Sequence, residues 1–169
     1  MVAAFVLSLA AACSVQGAEP SIKVELVIPS QDGAGRVSLD NARAHFHVLL
    51  SNVSPRQQRV WRDSSSWGYY ALSFELTDEG GTRHEVRKRR TGFTRNVPAS
   101  WLLAPGGHLV FDVALGDKMV WEGVPKLGQG CRPFQLRASF DVTPDSTSAE
   151  QTVWTGHTAS STESVSLCE

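Results

Sequence analysis

Apolar and polar residues alternate with a period of two along most of this chain. Ile22, Val24, Leu26 and Ile28 are interleaved with Lys23 and Glu25, and Phe46, Val48 and Leu50 with His45 and His47. Leu72, Phe74 and Leu76 alternate with Ser73 and Glu75, and Leu109, Phe111, Val113 and Leu115 with Asp112 and Ala114. Phe134, Leu136, Ala138 and Phe140 alternate with Gln135, Arg137, Ser139 and Asp141. Side chains point to opposite faces at successive strand positions, so each run predicts a strand with one face in a core and one in water. Clean alternation of this kind favours antiparallel sheets. Shorter strands are predicted at 58–61, 82–88, 151–155 and 163–167. Asp78-Glu79-Gly80-Gly81 reads as the turn of a hairpin, and Pro105-Gly106-Gly107 and Asp32-Gly33-Ala34-Gly35 as breaks between strands. No stretch keeps a period of 3.6, so helix is expected only as a turn near 98–103. The Ser/Thr-rich stretches 143–150 and 156–164 are predicted surface loops.

Short strands separated by turns, with no internal repeat and no linker, predict one all-β domain. The architecture expected is an antiparallel β-sandwich of about 7–9 strands over residues 19–169. The chain has 169 residues, enough to bury roughly 70% of the unfolded surface in a single core without a structural metal. Three short motifs carry a resemblance. Leu49-Leu50-Ser51-Asn52-Val53-Ser54 ends a strand with an Asn-x-Ser step, the 72–86 hairpin turns at an Asp-x-Gly, and Leu103-Ala104-Pro105-Gly106-Gly107 leads into an alternating strand. In these features the chain resembles exported bacterial immunoglobulin-like domains. The layout is also similar to the small β-sandwich proteinase inhibitors of bacteria. The resemblance implies an immunoglobulin-like fold and no particular activity, because this fold hosts unrelated functions. The Cys-Trp-Cys spacing of antibody domains is missing, since Cys131 and Cys168 both lie late in the chain.

The first residues change the picture from any soluble domain to an exported one. Residues 2–12 (VAAFVLSLAAA) are apolar without a break, too short a run to span a bilayer and suited to the core of a signal peptide over 1–18. No Lys or Arg precedes Lys23, so the usual basic start of a signal is missing. Val15-Gln16-Gly17 fits ordinary cleavage before Ala18. Leu9-Ala10-Ala11-Ala12-Cys13 resembles a bacterial lipobox with its leucine one place early, which would make Cys13 a lipidated first residue. A buried apolar strand is the competing reading of the same segment. The chain has 3 cysteines; with Cys13 removed or acylated, Cys131 and Cys168 remain and are predicted to form a disulfide in an oxidising compartment.

Charge narrows the partners. With 16 Lys+Arg against 17 Asp+Glu the chain has no overall attraction for nucleic acid or an anionic membrane, so neither is expected as a partner except through a lipid anchor. Locally, Arg87-Lys88-Arg89-Arg90 with Arg83 and Arg95 forms a basic run beside Phe93. Arg87, Arg89 and Arg90 are candidates for an anionic glycan or headgroup; a charged edge strand that resists strand addition is the bland alternative. Trp61-Arg62-Asp63-Ser64-Ser65-Ser66-Trp67-Gly68-Tyr69-Tyr70 reads as an aromatic, hydroxyl-rich loop. Trp67, Tyr69 and Tyr70 are candidates for sugar stacking or a protein contact, against the reading that most of the 5 tryptophans fill the core. His45 and His47 share a strand face roughly 7 Å apart and are candidate metal ligands lacking an evident third. Ser64-Ser65-Ser66 has no nucleophile elbow around it, no cofactor motif is present, and no cofactor is expected. The function expected is a non-enzymatic exported binding or structural domain at the cell envelope or outside it, with a protein or glycan partner. A proteinase inhibitor and a metal-dependent enzyme using His45 and His47 are the alternatives.

Overall fold

A computed structural model describes residues 21–30, 35–39 and 46–169. The expected signal segment with Cys13, and His45, lie outside the described residues. In chain order the elements are β1 (Ile22–Val27), β2 (Gly35–Ser38), β3 (Phe46–Asn52), β4 (Gln58–Trp61), α1 (Ser66–Tyr69), β5 (Leu72–Asp78) and β6 (Arg83–Lys88). They continue with β7 (Ser100–Leu103), β8 (His108–Val113), β9 (Trp121–Glu122), β10 (Cys131–Val142), α2 (Ser146–Glu150), β11 (Gly156–Ala159) and β12 (Glu163–Cys168). The described residues are all-β, and their named strands pair antiparallel except β2, which runs parallel to β12. One sheet has three strands in the order β1-β3-β8. A second has the order β2-β12-β10-β5-β6-β9, with β11 also on β10. β4 and β7 make a separate two-stranded ribbon.

The period-two pattern sets which face is buried. On β3, Phe46, Val48 and Leu50 point inward, and on β10 Phe134, Leu136, Ala138 and Phe140 do the same. The two sheets meet through these faces: Phe46 lies edge-on to Phe74 at 5.4 Å, and Phe111 faces Phe140 at 6.2 Å. One contiguous core results. β10 is its spine. β5 pairs along one flank, and β12 followed by β11 along the other. Where β12 gives way to β11, the buried Ser160 fills the gap. Its hydroxyl accepts a bond from the Ala138 amide at 3.0 Å and donates to the Ser161 carbonyl at 2.6 Å, so no backbone group is stranded.

Several local expectations are corrected. The helical turn expected near 98–103 is the strand β7, because pairing with β4 in the register Val60–Trp101 overrides local preference. The strand expected at 151–155 reduces to a single bridge between Val153 and Arg59. Thr152 sits at φ 50°, which turns the chain before it can extend. The 143–150 loop contains α2, started by a capping box in which Asp145 and Ser148 satisfy each other's backbone amides. The 156–164 loop contains β11 and the first residues of β12. The basic segment is not an open edge throughout. β9 pairs with Arg87 and Lys88, and Gly123 lies so close that a Cβ there would meet the Glu85 carbonyl at 2.0 Å with φ 86°. Only glycine fits that approach.

The disulfide is present. Cys131 and Cys168 face each other across β10 and β12 and are bonded.

Candidate functional site

The segment expected to be an aromatic loop folds back on itself. The Ser65 hydroxyl donates to the Arg62 carbonyl at 3.0 Å, and α1 follows at once. Gly68 makes that turn possible, since a Cβ would fall 2.3 Å from the Arg62 carbonyl oxygen. Trp67 therefore turns toward the core, half-buried, 5.9 Å from the buried Trp61. Trp121 is buried, Trp154 packs against the core, and Trp101 is exposed. Tyr69 and Tyr70 stack edge-to-face at 4.9 Å, and Phe93 closes on Tyr69 at 5.6 Å. The Tyr70 hydroxyl accepts from the Thr91 amide at 3.1 Å and donates to the Thr91 carbonyl at 3.4 Å. Aromatic packing and this pair of bonds fasten the long 89–99 connection to the region around α1. Burial, with Tyr70 and Asp117 adding, pushes the Tyr69 phenol above its ordinary range.

The basic run is divided by strand alternation. Arg87 points to solvent, where its Nε donates to Glu122 at 3.0 Å. Lys88 points the other way, on the side of the buried Val86. Its ammonium lies 4.5 Å over the Tyr69 ring, 5.9 Å from that of Trp121 and 3.9 Å from the Asp63 carboxylate, with only 10% of the side chain exposed. Burial holds Lys88 below the usual lysine range, and Asp63 opposes that only in part. Because the folded value is depressed, the charged form weakens the fold at neutral pH. The fold recovers that stability as pH rises through the folded value toward that of a free lysine. Arg89 donates to the Lys118 carbonyl at 3.1 Å and lines a larger neighbouring hollow of about 680 Å³. Arg90 is exposed and has no acidic partner among the described residues.

The geometry brings together two groups that are separate in the sequence. Tyr70, Arg87 and Arg90, with Lys88, Thr91 and Glu122, line one open cleft of about 390 Å³. Trp67, Tyr69 and Arg89 do not line it. Tyr70 offers a 43% exposed aromatic side chain. The two guanidinium groups offer planar, fork-shaped donors that match carboxylate or sulfate. Glu122 occupies part of Arg87, so Arg90 is the less committed cation. Thr91 and Glu122 escaped the sequence reading. Period-two alternation through Val86 was the signal that would have placed Lys88 inside.

The histidines are dispersed. His47 Nδ1 lies 2.8 Å from Asp112, His157 Nδ1 2.7 Å from Asp141, and His84 3.8 Å from Asp78. His108 Nδ1 meets the hydroxyl of Ser51 at 2.8 Å. Among the described residues no three His, Cys, Asp or Glu side chains gather as a metal site would need. In the serine triplet, Ser66 Oγ accepts from the Asn96 amide group at 2.6 Å, and the Ser65 hydroxyl is taken by the Arg62 carbonyl. No helix of the described residues is long and apolar enough to cross a membrane. No family model and no curated protein sequence matches this chain.

Proposed function

We propose that this chain is an exported immunoglobulin-like β-sandwich that performs no catalysis and binds an acidic glycan at the cell envelope or outside it. The observation that carries the reading is the meeting of Tyr70, Arg87 and Arg90 in one solvent-open cleft. An exposed aromatic face stacks on a sugar ring, while arginine forks take its carboxylate or sulfate groups. The immunoglobulin-like assignment is supported by strand order. β1, β3 and β8 take the places of strands A, B and E, and β5, β10 and β12 those of C, F and G. Export is supported by the apolar 2–12 segment and by the Cys131–Cys168 disulfide, a bond that persists in oxidising compartments. The protein then acts as a freely exported domain or, through Cys13, a lipid-anchored one.

Titration calorimetry against uronic-acid and sulfated oligosaccharides tests this. Arg90→Ala is expected to weaken binding by about 10–100-fold, the loss of a charge-assisted contact. It should leave the thermal unfolding curve in place, because Arg90 makes no ion pair within the described fold. Binding undiminished in Arg90→Ala and in Tyr70→Ala would remove the cleft from the account.

One feature favours a second reading, a proteinase inhibitor. The 89–99 connection is exposed, lacks regular structure and is tied down at both ends. Tyr70 holds Thr91, and Asn96 exchanges bonds with Ser66 through the Ser66 amide at 3.0 Å and hydroxyl at 2.6 Å. Arg95 stands exposed between the two anchors. On this reading the full chain slows a trypsin-like proteinase and remains uncut, and Arg95→Ala abolishes the effect. Rapid cleavage of the loop without inhibition would discard it.

A further inference from the structure

The three-stranded sheet ends at β8. Among the described residues only β3 pairs with it. The side of β8 facing away from β3 can be read residue by residue. The Asn52 amide donates to Gly107 and its carbonyl accepts from Gly106, so Asn52 bonds toward this flank. Bonding alternates along an antiparallel pair. Leu109, Phe111 and Val113 therefore turn their N–H and C=O groups to β3, and His108, Val110 and Asp112 turn theirs to the open edge. None of these edge groups has a backbone partner among the described residues.

Natural sheets usually blunt such an edge with Lys, Pro, a bulge or a covering segment. At β1, β2 and β6 that rule is kept. β1 carries Lys23 and Glu25, β2 is only four residues long, and β6 is covered by β9 and Gly123. The stretch His108-Leu109-Val110-Phe111-Asp112-Val113 contains no Lys, Arg, Pro or Gly. Val110 stands 61% exposed at its middle, and Trp101, Leu109 and Phe111 line a groove of about 330 Å³ alongside.

We infer that the open edge of β8 joins two copies of this chain, strand to strand and antiparallel, about a two-fold axis at Val110. The sequence of the edge is complementary to itself in that register. Val110 lies opposite Val110 of the second copy, Leu109 opposite Phe111, and His108 opposite Asp112, twice over by symmetry. The side-chain bonds already in place leave room for this. Ser51 takes Nδ1 of His108 and frees Nε2, and His47 takes one oxygen of Asp112 and frees the other. An imidazole N–H directly across a strand pair from a carboxylate oxygen donates to it, and facing apolar residues favour pairing. His108, Val110 and Asp112 each exchange main-chain bonds with the second copy, and the three-stranded sheets merge into one continuous sheet. A two-fold contact closes on itself, so the assembly stops at a dimer.

The test is the mass of the full chain in solution, by light scattering behind gel filtration and by sedimentation, from low- to high-micromolar concentration. The parent chain is expected to be a dimer and Val110→Lys a monomer, since the variant sets two ammonium groups against each other on the axis. Val110→Lys leaves the core untouched, so its unfolding curve reports whether it has folded. Val110→Cys is expected to form a reducible covalent dimer under mild oxidation that the parent chain does not form, because residues bonded across such a pair sit about 5.5 Å apart at Cα, within disulfide reach. A parent chain that stays monomeric at every concentration would overturn the inference. So would a dimer that survives Val110→Lys while Val110→Cys fails to cross-link.

Discussion

Asn52→Ala is expected to lower the free energy of unfolding by about 3–4 kcal/mol, read as a fall in the urea midpoint, because it removes five hydrogen bonds made by one buried side chain. Asn52 is the last residue of β3 and is fully buried. Its side-chain amide donates to the carbonyls of Arg56, Leu103 and Ala104, at 2.8, 3.0 and 3.1 Å. Its side-chain oxygen accepts from the amide and the hydroxyl of Ser54, at 3.0 and 2.8 Å. One side chain thus holds the turn after β3, the end of β7 and the turn that leads into β8. The Arg56 carbonyl also accepts from the Ser54 hydroxyl at 2.9 Å and the Ala104 carbonyl from the Gly107 amide at 2.8 Å, so the loss falls hardest at the Leu103 carbonyl, on a buried residue. Ser54→Ala is the control. Its hydroxyl is only partly buried, and the Asn52 oxygen keeps the Ser54 amide, so about 1 kcal/mol or less is expected. Equal losses in the two variants would show that Asn52 is not the centre of this network. Burial also closes Asn52 to glycosylation in the folded protein, although Asn52-Val53-Ser54 matches the acceptor pattern.

Removing the disulfide, by the paired change Cys131→Ala and Cys168→Ala, is expected to cost about 3–4 kcal/mol in the chain-entropy account, given a sequence separation of 37. The structure says where the loss is felt. Cys168 ends β12, and its carbonyl accepts from the Leu39 amide at 2.7 Å. β2 pairs with no strand other than β12 among the described residues. Once the bond is gone, the end of β12 frays and β2 loses its template. Thermal unfolding with and without reductant should reproduce the drop in the parent chain. Amide exchange should quicken first at Val165–Cys168 and Val37. An unchanged midpoint under reductant, with reduction verified by mass, would show that β-pairing alone holds the chain end.

Much of the β-structure was legible from alternation. The runs at 22–28, 46–50, 72–76, 109–115 and 134–140 are β1, β3, β5, β8 and β10, and the hairpin at Asp78–Gly81 joins β5 to β6. These strands have one face in the core, so burial writes itself into the sequence with period two. The strands that escaped notice are short. β2, β7, β9 and β11 have four residues or fewer, too few for a period to show, and each is held by a longer neighbour. The cleft was half legible. Tyr70, Arg87 and Arg90 stood out as residue types, but nothing in the chain order indicated that they meet. Their meeting depends on Gly68 permitting the tight turn at α1 and on Thr91 being fastened to the Tyr70 hydroxyl. Trp67 was misleading, since an aromatic among serines resembles an exposed contact residue until Trp61 is seen to pack against it.

By itself the amino-acid sequence determined the all-β class, the inward face of each long strand, the main hairpin and the two cysteines that bond. Each of these rests on a local period, a local turn or a simple parity of thiols. The tertiary structure alone decided which strands are neighbours, that β2 runs parallel to β12, that Lys88 is buried while Arg87 is exposed, and that Asn52 joins three segments. It also left β8 with an unpaired edge. These are properties of contacts between residues far apart in the chain, and their energies depend on distance and solvent exclusion that no single segment contains.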